Sequence, residues 1–269
     1  MNNLTVFVSS ADSYSDLWDV FFDLFYMNWP EFDGEIVLNT QDKTYSHPHL
    51  NVSCTNVGQL KGFGSTLRAG LDQVKTDNVL FVLIDHIFMG KVKAQLLEEY
   101  YDFFNKNELD TLCLKQLPFT HYEKTVNPNI LMASPPYPVS LLFSYQIGIW
   151  KKSVLYEMAL PHEDPWMSEW FGSLRAEKMK IRVGYMAKDD CLPFNVDGAG
   201  CIHRGYWLDN AIEYLNNNYD KIIDYTKRGL YRDNPVYQSK SLRYQIKWSI
   251  WKTGLKGSYW DLLKRKPIH

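Results

Sequence analysis

The sequence predicts an α/β fold built on a central, mostly parallel sheet flanked by helices. Three observations carry that expectation. Val79-Leu80-Phe81-Val82-Leu83-Ile84 is six apolar residues without alternation, the pattern of a strand buried on both faces. From Leu4 to Leu114, short apolar runs alternate with segments of helical period in the order β-α-β-β-α-β-α-β. A chain of 269 residues, 45% hydrophobic, is long enough for one large domain or a domain with a small appendage.

The first strand is expected over Leu4–Val8, and a helix from about Ser15 to Tyr26 whose buried stripe is Leu17, Val20, Phe21, Leu24 and Phe25. After Pro30 and Gly34, short strands are expected over Glu35–Asn39 and Asn51–Cys54. Ser65 is the expected N-cap of a helix to about Val74, with Leu67, Leu71 and Val74 inward. That helix feeds the run at Asn78–Ile84. A long helix near Lys91–Phe104 and a strand at Thr111–Leu114 follow. Gln116–Tyr137 reads as a long Pro- and Asn-rich loop, and loops of that length are usually functional or mobile. A strand over Ser140–Gln146 and a short helix near Lys152–Ala159 come next. Asp164-Pro165 is a strong helix start, a capping acid with proline at the first position, for a helix to about Lys178. A strand over Lys180–Tyr185 precedes the late stretch Cys201–Trp207.

The central run stops at Asp85-His86. Ligands of open α/β sheets bind outside the carboxyl ends of the strands, where these two residues would sit. The competing reading is that Asp85 caps the next turn. Cys54, Cys113, Cys191 and Cys201 have no metal-type spacing and read as reduced thiols of a cytosolic protein. No signal peptide is expected ahead of the first strand, and no apolar run approaches the ~18 residues of a membrane span. Aromatic content of 15% favours stacking surfaces beside a large core. Charge is unevenly placed: residues 240–269 hold eight basic residues against one acid, and the chain before them 21 basic against 30 acidic.

Four stretches together resemble the bacterial GT-A-type nucleotide-sugar glycosyltransferases that assemble capsule, O-antigen and related surface polysaccharides. The first is Ser9-Ser10-Ala11-Asp12-Ser13-Tyr14 with the aromatic helix from Leu17 to Phe25. The second is Ser65-Thr-Leu-Arg68-Ala-Gly-Leu71 feeding Val79–Asp85. The third is Gln146-Ile-Gly-Ile-Trp150-Lys-Lys. The fourth is Pro165-Trp166-Met-Ser-Glu169, followed late by His203-Arg204-Gly205-Tyr206-Trp207. The resemblance covers about residues 4–210 and implies a GT-A-like (Rossmann-like) catalytic domain, expected over 1–235; the charge asymmetry sets off a basic, aromatic helical tail over 236–269.

It also implies a hexosyltransferase-type enzyme that moves a sugar from a nucleotide-sugar, in the first place a UDP-sugar, with inversion. Carried over residue by residue, donor binding falls to Ser9, Ser10 and Asp12 behind the first strand, to Arg68, and to Asp85 and His86. Asp12 also reads as a plain turn residue. The family's Asp-x-Asp motif is incomplete, because Leu83-Ile84-Asp85-His86-Ile87 holds one acid. Asp85 with His203 is the candidate ligand pair for Mn²⁺ or Mg²⁺. A metal-independent enzyme with Arg68, Arg204 or Lys151 on the phosphates stays open. Of Glu163, Asp164 and Glu169, Glu169 is the first choice for general base and Asp164 the second. Their plain readings are a solvated helix charge for Glu169 and an N-cap for Asp164. Trp166 is the candidate acceptor platform; Trp166 and Trp170, four apart, also fit core packing. His47, His49, His121 and His162 read as solvent or loop residues.

In the tail, Leu242, Ile246, Trp248, Ile250, Trp251 and Leu255 interleave with Arg243, Lys247, Lys252 and Lys256. A helix there would be amphipathic and suited to a lipid headgroup region, or to docking on the domain. The implied acceptor is a lipid-linked saccharide, and the implied location is the cytoplasmic face of the inner membrane. An acidic body without a nucleic-acid module speaks against nucleic acid. The rival readings are a sugar-nucleotidyltransferase, which lacks its Gly-rich loop after the first strand here, and a non-catalytic saccharide-binding or partner module on a degenerate transferase fold.

Overall fold

The computed structural model describes residues 3–60, 62–117, 121–137, 142–196, 200–233, 261 and 264–269. Its centre is a nine-stranded sheet. In chain order the strands are β1 (Leu4–Ser9), β2 (Ile36–Leu38), β3 (Val52–Cys54), β4 (Asn78–Leu83), β5 (Thr111–Gln116), β6 (Tyr122–Lys124), β7 (Ile130–Ala133), β8 (Gly148–Lys151) and β9 (Val183–Met186). Across the sheet the order is β3-β2-β1-β4-β8-β5-β9-β7-β6. The block β3-β2-β1-β4 is parallel throughout, β8 runs against both its neighbours, and β9 is again parallel to β5. Only β7 and β8 oppose the common direction, so the sheet is mostly parallel, as expected.

The unbroken apolar run of β4 divides its side chains between two cores. Leu80 and Val82 meet the first helix, α1 (Trp18–Asn28), and the long α3 (Ala94–Lys106). Val79 and Phe81 meet α2 (Phe63–Leu71), α4 (Lys152–Met158) and α5 (Pro165–Met179) on the other face. Neither face can be polar, and alternation is lost. α1 is likewise buried around most of its girth, at Trp18, Val20, Phe21, Phe22, Leu24 and Phe25. The hairpin of β10 (Ile202–His203) and β11 (Tyr206–Trp207) and helix α6 (Asp209–Asn218) complete the described fold.

Four expectations are corrected. The loop predicted over Gln116–Tyr137 contains the β6–β7 hairpin, which extends the sheet past β9. Its strands are three and four residues long, too short for a periodic signal beside the Pro and Asn residues. The strand predicted over Ser140–Gln146 lies instead at β8. Leu142, Phe143 and Tyr145 are core residues, but the Phe143 N–H is donated to Ser173 Oγ (3.1 Å) and the Tyr145 N–H to Glu169 Oε1 (2.9 Å), so the described part of this stretch, 142–146, joins α5 and no strand; Ser140 and Leu141 lie outside the described residues. The helix predicted from Ser15 begins with a 3₁₀ turn at Asp12–Leu17 and becomes α-helical at Trp18. Ser65 does not cap α2, which starts two residues earlier behind Gly62, φ +93°; Ser65 Oγ bonds the Pro161 carbonyl. A Cβ at Gly64 would stand 1.9 Å from the Leu160 carbonyl oxygen, so this helix start must be glycine-rich to lie against residues 160–161.

The helix expected in the basic tail falls largely on 234–260 and 262–263, outside the described residues. Its described end rests on the domain. Arg265 pairs with Glu157 and Asp261, the Ile268 N–H is donated to the Met179 carbonyl (3.0 Å), and the His269 ring meets the buried Asp110 (2.7 Å). Asp110 immediately precedes β5, at the end of the sheet remote from Asp85. Among the described residues no helix is long and apolar enough to cross a membrane.

Candidate functional site

β1 and β4 are parallel and in register, with Ser9 beside Leu83, so their carboxyl ends open at one place. There the chain forms a cleft of about 420 Å³. Its floor is Ser9, Ser10 and Ala11 at the end of β1, and Ile84, Asp85 and His86 after β4. One wall is Pro165, Trp166 and Glu169 from the first turns of α5. Another is His203, Arg204 and Gly205 from the β10–β11 hairpin, and Tyr14, Phe63 and Tyr145 supply aromatic surface. Stretches up to about two hundred residues apart in sequence thus converge on one opening.

Asp85 is held by its main chain. Its carbonyl accepts the Cys201 N–H (2.7 Å), which brings the late segment against the end of β4. Gly200, at φ +75°, sits so close that a Cβ there would lie 2.7 Å from Asp85 Oδ2. The Asp85 carboxylate makes no side-chain hydrogen bond or ion pair among the described residues. Desolvation pushes its pKa up to about 6, against which its own backbone N–H and the Arg228 charge work only partly. Cys201, buried behind it, is driven well above the ordinary thiol range by burial and by the Asp85 charge. Arg204 (φ +53°) and Gly205 (φ +90°) form a two-residue turn of the type that suits a hairpin's twist. That turn carries His203 to the cleft. Burial and the neighbouring Arg204 charge lower the His203 pKa, which favours neutral imidazole, and its ring stands edge-on to Tyr231 (4.8 Å).

The three acids around the start of α5 have three different environments. Glu163 forms a fully buried two-pronged pair with Arg175, Oε1 to Nη1 at 2.8 Å and Oε2 to Nη2 at 2.6 Å. Asp164 is the N-cap and accepts the Met167 N–H (2.9 Å). Glu169 lines the cleft. Its Oε1 accepts the Tyr145 N–H (2.9 Å) and the Ser144 hydroxyl (3.2 Å), and among the described residues Oε2 accepts no bond. Burial raises its pKa, and these two bonds only partly offset the rise. Trp166, one turn earlier on the same helix, is 55% exposed at the rim and is not a core residue; Trp170 is half-buried against Met167 and Phe171.

Other candidates lie elsewhere. The Asp12 carboxylate accepts the backbone N–H groups of Gln41 (2.9 Å), Asp42 (2.9 Å) and Lys43 (3.0 Å). It clamps the segment after β2 to the end of β1 and does not line the cleft. Burial works against its ionisation, yet these bonds outweigh burial and its pKa is lowered. The Arg68 guanidinium lies over the Tyr156 ring (3.9 Å) and bonds the Ala159 carbonyl (3.4 Å), between α2 and α4. Lys151 bonds Asp110 (3.0 Å) at the far end of the sheet. Of the three cationic residues weighed for phosphates, only Arg204 reaches the cleft. Sequence reasoning missed Arg228. It stacks over Tyr14 (4.6 Å), donates from Nε to Asp16 Oδ2 (2.6 Å) and acts electrostatically on Asp85. Its one sequence signal is the Lys227-Arg228 pair before Gly229, too common to single out.

Among the described residues no three His, Cys, Asp or Glu side chains gather into an all-protein metal cage. The pair Asp85 and His203 nevertheless fits a partial site. A carboxylate that forms no ion pair among the described residues and a neutral imidazole both line the cleft, and Mg²⁺ or Mn²⁺ usually takes few protein ligands and completes its shell with substrate phosphates.

No family model matches the chain, and no curated protein matches it in sequence. Solved structures do resemble it. S. aureus TarS 1-349 in complex with UDP is 15% identical at a TM-score of 0.44, over 70% of this chain and 58% of that one. The mannosyltransferase PcManGT from Pyrobaculum calidifontis in complex with GDP-Man and Mn²⁺ is 13% identical at 0.43, over 67% of this chain and 53% of that one. Bifunctional IspDF from Campylobacter jejuni is 11% identical at 0.42, over 71% of this chain and 51% of that one. The chain thus spans little more than half the length of these proteins. The observed sheet, seven of its nine strands running one way with helices on both faces, agrees with the α/β class expected from the sequence. At such values a shared activity does not follow, and chemistry is argued from the chain's own residues.

Proposed function

We propose that the protein is a glycosyltransferase that moves a sugar from a nucleotide-sugar to a saccharide hydroxyl, with Glu169 as general base. One observation carries the reading: of the three acids at the start of α5, the one that lines the cleft with Asp85 and His203 is Glu169. The nucleotide diphosphate would lie over the carboxyl ends of β1 and β4, against Ser9, Ser10 and Arg204, with Tyr14 as a stacking surface. Asp85 and His203 would hold a divalent cation, which when bound supplies charge neutralisation of the leaving diphosphate. Trp166, exposed at the rim, would take one face of the acceptor ring.

The acceptor oxygen attacks the anomeric carbon, the bond from that carbon to the diphosphate oxygen breaks, and the hydroxyl proton passes to Glu169. A carboxyl whose pKa is raised is a better base near neutral pH, provided it remains ionised. The two bonds to Oε1 fix the carboxylate and leave Oε2 toward the cleft. Inversion follows if the acceptor attacks from the α5 side, opposite the diphosphate. Within the same reading we assign the acceptor as a lipid-linked saccharide of surface polysaccharide synthesis and the UDP-sugar as donor. The basic aromatic sequence from Lys240 to Lys256 supports this, being of a composition suited to the cytoplasmic face of a membrane.

Calorimetric titration with UDP and GDP, with and without Mn²⁺, tests the donor site. Mn²⁺-dependent UDP binding, weakened in Asp85→Ala, is expected. Absence of binding to either nucleotide under every condition overturns the transferase and favours a saccharide-binding module, the reading that the single carboxylate of the Asp85 stretch keeps open. Glu169→Gln should retain UDP affinity while transfer falls by about 10²–10⁴. Undiminished transfer in Glu169→Gln would remove that residue as the base.

A further inference from the structure

A second cavity, of about 470 Å³, adjoins the cleft and shares Gln146 with it. Three lysines line it: Lys91 and Lys93 from the segment after β4, and Lys115 near the end of β5. Asp189 is its one carboxylate. Among the described residues none of the three lysines pairs with a carboxylate. Lys91 Nζ donates to the Met27 carbonyl (2.6 Å), Lys93 Nζ to the Asp190 carbonyl (3.3 Å) and Lys115 Nζ to Gln146 Oε1 (3.4 Å). An ammonium has three donors, so each lysine keeps donors for a ligand. The concavity is positive on a body that is otherwise acidic, and a like-signed cluster in a recess focuses field on an anion.

Its position gives it a use. Gln146 forms the wall between the two cavities, and the residue before it, Tyr145, donates its N–H to Glu169 (2.9 Å). A sugar entering the cleft from the lysine cavity would therefore arrive beside the Glu169 carboxylate. We propose that this cavity is an acceptor subsite for a saccharide bearing an anionic substituent, a phosphate or carboxylate held by Lys91, Lys93 and Lys115. The assignment rests on the transferase reading above and adds the charge class of the acceptor. Gln146 then orients the acceptor between the two cavities and Lys115 orients Gln146.

The test titrates the full chain by NMR at fixed ionic strength with three probes: maltose, maltose 6′-phosphate and inorganic phosphate. Saturating UDP and Mn²⁺ keep phosphate out of the first cleft. Maltose 6′-phosphate should bind at least about tenfold more tightly than maltose, and Lys93→Gln/Lys115→Gln should remove that preference, as expected for loss of charge-assisted bonds. UDP affinity of the variant should be unchanged, which also shows that it is folded; Lys93→Gln alone, at an exposed position, serves if the pair does not fold. Equal binding of charged and uncharged maltose, or a preference that survives the lysine changes, overturns the proposal. Phosphatidylglycerol vesicles separate the other source of phosphate: cosedimentation lost in the variant would assign the lysines to a lipid surface and overturn the subsite. Failure of UDP to bind at all sinks the transferase reading separately, since that titration does not involve the lysine cavity.

Discussion

Replacing Asp85 by Asn should stabilise the protein at neutral pH while weakening Mn²⁺-dependent UDP binding. The wild-type carboxyl is pushed from an ordinary 3.8 to about 6, chiefly by desolvation. A raised carboxyl pKa means that the folded state binds more protons than the unfolded state between those two values, so the contribution of Asp85 to stability is fully present below about pH 4 and is lost as pH rises through 6. Two pKa units correspond to about 3 kcal/mol at pH 8, a ceiling because water at the cleft mouth relieves part of the burial. Asn has no such loss, so urea unfolding followed by tryptophan fluorescence should show the variant gaining on the wild type from pH 4.5 to pH 8. In thermal melts the gain at pH 8 would be roughly 6–12 °C at most. A difference that stays flat with pH, or a variant less stable than wild type at pH 8, would refute the account of Asp85 as a strained, unpaired carboxylate.

Gly200→Ala places a methyl where the Asp85 carboxylate stands and forces it at a positive φ; it should cost at least about 1 kcal/mol in urea unfolding and weaken UDP–Mn²⁺ binding. Glu163→Gln leaves the Arg175 guanidinium buried without its counter-charge, and a loss of about 3–5 kcal/mol is expected, of which Glu163→Met with Arg175→Leu should recover a large part. In a pH–rate profile the acid limb should lie above the ordinary carboxylate range, because burial raises Glu169 and it must be ionised to act as base; a limb near 4 would contradict this. Asp12→Ala removes the acceptor of three backbone N–H groups, and should destabilise by about 1–3 kcal/mol without abolishing UDP binding.

What was legible in the sequence followed from burial pattern. The β4 run, the stripe of α1 and the Asp164-Pro165 helix start each express a local rule that the tertiary structure does not override. The parts that were not legible depend on partners far along the chain. Leu142–Gln146 looks like a strand because its apolar residues are core residues, yet its backbone bonds α5. Nothing within the segment distinguishes an N–H donated to Glu169 from one donated to a neighbouring strand. Asp12 and Arg68 match the resemblance by position, but backbone amides and an aromatic ring, contributed from 29 to 88 residues away, already engage them. Arg228 and the lysine cavity emerge only when the late segments close over the sheet.

The bond from Cys201 to the Asp85 carbonyl has a mechanical consequence. Together with the bond from Met89 to Asn195 (2.7 Å) and the bridge between Phe88 and Val196, it fastens the late segment to the end of β4 at both ends of a short span. The hairpin that carries His203 thereby shares a footing with Asp85, and two residues more than a hundred positions apart travel as one jaw. Relative motion that widens the opening would come from the side of Trp166, where α5 begins. A substrate would be gripped between a fixed anvil and a helix end.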